Sequence, residues 1–179
     1  MNRKTIITLH LYCAAFFTPI LLIMAISGTF YLFSIKGSVD KEIVYQGQLN
    51  GFNKSAKDMK GQINGFINAN NIQHEFEYVK GGGSTYFTRP TSEPHLVFKV
   101  KDEQLEVTKQ SPDLIRKIIE LHKGHGPTYF KYFQKVMGFG LLFILCTGFL
   151  LGLTSENLRT KTLSISGSGA VLFLLLILI

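Results

Sequence analysis

Hydrophobic and polar positions divide this chain into long blocks. Residues 5–35, 136–155 and 163–179 contain no Asp, Glu, Lys or Arg. The first two tracts reach the ~20 residues that cross a bilayer as a helix, and the third is short but sufficient. The pattern places membrane spans at 1–35, 127–155 and 163–179, with a short link at 156–162. The basic start Met-Asn-Arg-Lys resembles the opening of a signal peptide, whose apolar core runs only ~7–15 residues before a small-residue cleavage site. Here the apolar run continues through Phe30, Tyr31, Leu32 and Phe33, which reads as a retained helix.

Between the first two spans lies a polar stretch with shorter periods, expected as an outer domain over 36–110. Residues 43–49, 75–80, 85–89, 95–101 and 103–109 read as strands, with Gly81-Gly82-Gly83 and Asp102 as turns. Asn53 is placed to cap a helix carrying Ala56, Met59, Ile63, Phe66 and Ile67 at spacings of three and four. A helix with antiparallel strands is a small α+β module. Ser111-Pro112 reads as a capping Ser followed by Pro at the first helical position. An amphipathic interfacial helix then covers 111–126, with Leu114, Ile115, Ile118, Ile119 and His122 on one face. Arg116, Lys117, Glu120 and Lys123 lie elsewhere, and Gly124, Gly126 and Pro127 break the helix.

Composition sharpens this picture. Only 17% of residues are charged while 46% are hydrophobic, against about a quarter charged in globular proteins. That excludes a soluble enzyme, a disordered chain and a large multidomain protein. Arg3 and Lys4 flank the first span, and Arg159 and Lys161 follow the second. Both flanks are expected inside, with the N-terminus cytoplasmic and the polar domain outside, in the periplasm of a bacterial inner-membrane protein. The net charge of +7 is spread in both signs, so no nucleic-acid partner is expected. Cys13 and Cys146 lie in apolar tracts, where Cys behaves as a small hydrophobe. No CxxCH occurs, which excludes covalent c-type haem.

Three of the five histidines sit in or beside spans: His10, His122 and His125. An ionisable group inside a span is by default a functional candidate. The bland alternatives are an interfacial histidine at position 10 and helix-end caps at 122 and 125. His74 and His95 read as surface residues. Ser27-Gly28 and Thr147-Gly148 echo each other, and such small residues allow close helix contact.

Leu9-His10-Leu11-Tyr12 with Ser27-Gly28, and Glu120-Leu121-His122-Lys123 with Gly138 and Thr147-Gly148, resemble the first and second helices of PepSY-associated transmembrane proteins. The polar segment resembles a PepSY domain in size and element order, and the size of the chain resembles the small VciB-type members, linked to ferric iron reduction that feeds ferrous uptake. The resemblance implies b-type haem with histidine ligands, His10 and His122. His125 is a departure from the family motif and a further candidate.

Geometry then constrains the arrangement. One haem needs two axial nitrogens about 4 Å apart, given metal–nitrogen bonds near 2 Å. His10 and His122 are expected near opposite faces of a ~30 Å hydrocarbon core. His122 and His125, if helical, share one face. Neither pair can straddle a porphyrin, so a second chain is needed. A homodimer with a four-helix core would hold two haems, each between a histidine and its copy.

The function expected is electron transfer across the membrane to ferric iron or a ferric chelate at the outer side. The electron donor is a separate molecule, a quinol or a cytoplasmic flavoprotein. Glu75, Glu77 and Glu93 are candidate hard-oxygen ligands for Fe(III), weighed against a solvated strand face. The alternatives are a membrane-anchored PepSY binding or inhibitory module, and a non-catalytic subunit of an iron transport system.

Overall fold

A computed structural model describes residues 2–49, 52–53 and 56–178; the outermost positions expected for the first and third spans, Met1 and Ile179, lie outside them. Among the described residues three helices are long and apolar enough to cross a membrane: α1 (Arg3–Leu32), α4 (Thr128–Leu153) and α5 (Arg159–Leu178). Their large side chains are mostly uncovered, with Phe16 69%, Phe139 75% and Leu178 81% exposed. Apolar surface on that scale requires lipid or protein around it, and the three helices are compatible with a multi-pass membrane protein. Arg159 and Lys161 fall in the first turn of α5.

The chain forms two compact units. One comprises Met1–Leu21 and Lys135–Ile179, the other Leu22–Gln134. In the first, α1 meets α4 where Gly140 lies under the ring of Phe17, and Gly152 of α4 faces Thr162 of α5.

The second unit contains a small antiparallel sheet. Its strands are β1 (Val39–Gln48), β2 (Tyr78–Gly82), β3 (Thr85–Arg89), β4 (His95–Lys101) and β5 (Gln104–Pro112), in the order β1-β5-β4-β3-β2. Helix α2 (Met59–Ala69) buries Ile63 and Ile67 in a core with Leu96, Phe98 and Val107. Strand alternation sends His95 and Val97 to the opposite face, and both are buried. Helix α3 (Leu114–His122) packs beside β5 and buries Ile119 and Glu120.

Several local expectations are corrected. The cap of α2 is Asp58, whose carboxylate accepts from Gly61 N at 2.9 Å, and not Asn53. Gly81 and Gly82 pair within β2, so the β2–β3 turn begins at Gly83. Ser111 and Pro112 remain in β5, paired with Asp40 and Val39. The ladder holds them extended, and Asp113 caps α3 instead, accepting from Arg116 N at 2.7 Å. Its other oxygen accepts from Ser38 N at 2.7 Å, and these backbone hydrogen bonds lower its pKa. The turn expected at Asp102 is present. Asp102 and Glu103 both have positive φ, 47° and 64°, as a two-residue type I′ hairpin requires.

Candidate functional site

His10 projects from α1 onto the Thr147-Gly148 step of α4. Its Nδ1 lies 2.9 Å from Thr147 Oγ1, and Thr147 Oγ1 donates its own proton to Phe143 O at 2.7 Å. A hydroxyl has one proton. Thr147 therefore accepts from His10, which places the ring proton on Nδ1 and, in the neutral ring, a lone pair on Nε2. This tautomer is assigned from the hydrogen-bond network. Gly148 makes room for the ring: a Cβ there would stand 3.3 Å from His10 Cε1.

The second unit repeats the device with different elements. His122, the last residue of α3, meets the Ser27-Gly28 step of α1. Its Nδ1 lies 2.9 Å from Ser27 Oγ and 2.9 Å from Met24 O. Ser27 Oγ donates to Met24 O at 2.9 Å, and a carbonyl can only accept. The proton again sits on Nδ1, which leaves the lone pair of the neutral ring on Nε2. A Cβ at Gly28 would stand 3.3 Å from His122 Cε1. Ser27 and Thr147 are buried, while the His122 ring is exposed.

Metal-ligating histidines characteristically donate their other ring N–H to a fixed acceptor, which sets tautomer and orientation. Both rings have that form. Each leaves one Nε2, so each could offer one nitrogen to a metal.

His125 is diverted. Gly124, with φ 75°, ends α3 in a Schellman motif. Gly124 N bonds Leu121 O at 3.0 Å and His125 N bonds Glu120 O at 2.9 Å. The helix stops at His122, so the two histidines do not share a helical face. His125 Nδ1 instead donates to Glu120 Oε2 at 2.7 Å.

Glu120, expected off the buried face, is only 5% exposed. Oε2 also accepts from Thr91 Oγ1 at 2.8 Å, while Oε1 pairs with Arg116 and Lys123, each at 3.3 Å. Burial alone would raise its pKa. The hydrogen bonds from His125 and Thr91 and the charges of Lys123 and Arg116 prevail, lowering it to about 2.

His95 and His74 also depart from the surface positions expected of them. His95 is buried and donates through Nδ1 to Glu93 O at 2.9 Å. His74 is half-buried, with Nε2 2.9 Å from Thr88 Oγ1. Burial lowers both pKa values.

The candidate iron-binding acids are not assembled. Glu77 accepts from Thr128 N at 3.0 and 3.1 Å and so caps α4. Hydrogen bonding from the Thr128 hydroxyl lowers its pKa. Glu75 and Glu93 are exposed. Among the described residues, no group of three or more His, Cys, Asp or Glu side chains is arranged to hold a metal ion.

Sequence reasoning missed the roles of Ser27, Gly28, Thr147 and Gly148. The signal is the repeated hydroxyl-glycine step, which in the sequence indicates close helix contact and carries part of the family resemblance but does not show that each step seats a histidine. Compared with protein-family models, curated proteins and solved structures, the chain matches none.

Proposed function

We propose that this chain is a b-type-haem electron-transfer protein of the inner membrane that reduces ferric iron at the periplasmic side and so supports ferrous uptake. The observation that carries the reading is the repeated histidine device: two rings, each fixed through Nδ1 by a buried hydroxyl, each keeping Nε2 for a metal. The resemblance of these same residues to PepSY-associated transmembrane proteins supplies the iron and the reductase activity.

In this reading His10 would hold one haem and His122 the other, each together with the same residue of a second chain. Bound haem supplies one-electron exchange between Fe(III) and Fe(II). Thr147, Ser27 and the Met24 carbonyl would keep each imidazole in the tautomer that leaves Nε2 for a metal. Gly148 and Gly28 let each ring seat against the facing helix. Electrons enter from a quinol or a cytoplasmic flavoprotein.

An absorption spectrum of detergent-purified protein from haem-replete cells tests the reading. A Soret band, a redox-sensitive α-band and pigment extractable into acidic acetone are expected. A colourless preparation would reject it and favour the membrane-anchored binding module.

A further inference from the structure

We propose that the cavity lined by α3 and the sheet binds a small hydroxycarboxylate anion, and that the ferric substrate is presented as a chelate of this class. The second part rests on the function proposed above; the first does not. The cavity is about 210 Å³, and its lining includes Arg89, Arg116, Lys123, Glu120, His95 and His125. Three fixed cations face one carboxylate, which leaves an excess of positive charge for an anion. Both oxygens of that carboxylate already accept from Arg116, Lys123, Thr91 and His125. It has little left for a cation, so the cavity is not a metal site.

Arg89 points to the chemistry of the occupant. Its Nη1 donates to Thr91 Oγ1 at 2.6 Å, and its Nε–H is buried without an acceptor among the described residues. A buried donor of this kind calls for an acceptor. The free Nε edge of a guanidinium matches the two oxygens of a carboxylate. His95 adds the complementary function. Its Nδ1–H is taken by Glu93 O, and burial holds its pKa below the ordinary value. At neutral pH its Nε2 is therefore an acceptor, suited to a ligand hydroxyl. Donors for carboxylates beside an acceptor for a hydroxyl describe a hydroxy acid.

Size narrows the class. The cavity holds roughly seven waters at ~30 Å³ each and is smaller than the ~300–1,000 Å³ of drug-sized sites. A small organic acid fits it, and a bulky siderophore does not. Arg116 and Glu120 lie one turn apart on α3, and His122 follows two residues later, about 200° around the helix. A chelate held by a carboxylate arm would thus lie one helix away from His122. One electron would convert its Fe(III) to Fe(II), with no bond to the acid formed.

Calorimetric titration of citrate into the detergent-purified full chain at pH 7 tests the site without turnover. Saturable binding is expected, weakened at least tenfold by Arg89→Gln and severalfold by the more exposed Lys123→Gln. Tricarballylate, which lacks the hydroxyl, should bind more weakly than citrate, and a bulky ferric siderophore should not compete. Failure of millimolar citrate to bind, equal affinity in both variants, or tighter binding of inorganic phosphate would overturn the proposal. Citrate binding that persists in a colourless preparation would uphold the site while rejecting the electron-transfer reading.

Discussion

His122 and Ser27 are joined by a 2.9 Å hydrogen bond between imidazole Nδ1 and hydroxyl Oγ. His10 and Thr147 make the same bond at 2.9 Å. In both pairs the hydroxyl's own proton goes to a helix carbonyl, so the imidazole is the donor. The pairs differ in one respect. The Nδ1 of His122 also reaches Met24 O at 2.9 Å, a second acceptor that no side-chain substitution removes.

That asymmetry yields an ordered prediction. Removing a ligand-orienting partner lowers metal affinity by roughly 10–100-fold. Thr147→Ala should approach that loss at the His10 site. Ser27→Ala should lose less at the His122 site, because the Met24 carbonyl still holds Nδ1. Haem titration of each variant, followed by the Soret band, measures both. Equal affinities in wild type and both variants would remove these hydroxyls from the ligand arrangement.

The glycines should be as sensitive as the hydroxyls. A Cβ at Gly148 would stand 3.3 Å from His10 Cε1, and the branched carbons of valine would occupy the space of the ring. Gly148→Val should therefore displace His10 and release its haem. At Gly138 a Cβ meets nothing within 4 Å, so Gly138→Ala should retain full haem content by pyridine-haemochrome assay. Loss in both variants would mean general helix disruption.

What was readable in the sequence depended on local chemistry. Absence of charge marks α1, α4 and α5, and Asp, which tolerates positive φ, marks the Asp102 turn; Glu103, expected in the following strand, shares that turn. Positions whose state is set by distant partners were not readable. Glu120 is buried because Thr91, Arg116, Lys123 and His125 converge on it, and no helical period reports such convergence. Ser111-Pro112 has a helix-start pattern, but pairing with β1 keeps both residues in the sheet. The hydroxyl-glycine steps were visible as a repeat, yet only the facing helix shows that each seats a histidine.

The buried histidines predict how the outer domain responds to pH. His74 and His95 have pKa values lowered below 6.5 by burial, so the unfolded chain binds more protons than the folded one just below that pH. Stability therefore rises with pH through this window and falls as pH drops below about 6.5. Glu120, lowered from 4.5 to about 2, keeps its stabilising contribution above 4.5 and loses it only as pH falls toward 2. Thermal melts of the full chain should show a lower Tm at pH 5 than at pH 7.5, with a smaller difference in His95→Gln. A Tm unchanged between these pH values would contradict the assignment.

Orientation is open to direct chemical mapping. With Cys13 and Cys146 replaced, Lys57→Cys should react with an impermeant maleimide from the periplasmic side, and Thr160→Cys only after the membrane is opened. Labelling of Lys57→Cys from the cytoplasmic side alone would reverse the direction of electron flow.

The last prediction separates His122 from His125. With one Nε2 at the His10 site and one at the His122 site, the proposed bis-histidyl ligation would require two chains. His10→Ala and His122→Ala should each roughly halve the haem per dimer and weaken dimerisation, since haem binding stabilises the assembly that binds it. His125 is engaged differently, with Nδ1 committed to the buried Glu120 carboxylate at 2.7 Å. His125→Ala should keep both haems while losing about 2 kcal/mol of stability, the size of a hydrogen bond to a charged group. Glu120 would still retain Thr91, Arg116 and Lys123, so the domain should remain folded. Haem content, sedimentation in mild detergent and chemical denaturation of the three variants decide the matter. A monomer with full low-spin haem would rule out ligation across two chains. Haem loss in His125→Ala but not in His122→Ala would transfer the outer ligand to His125.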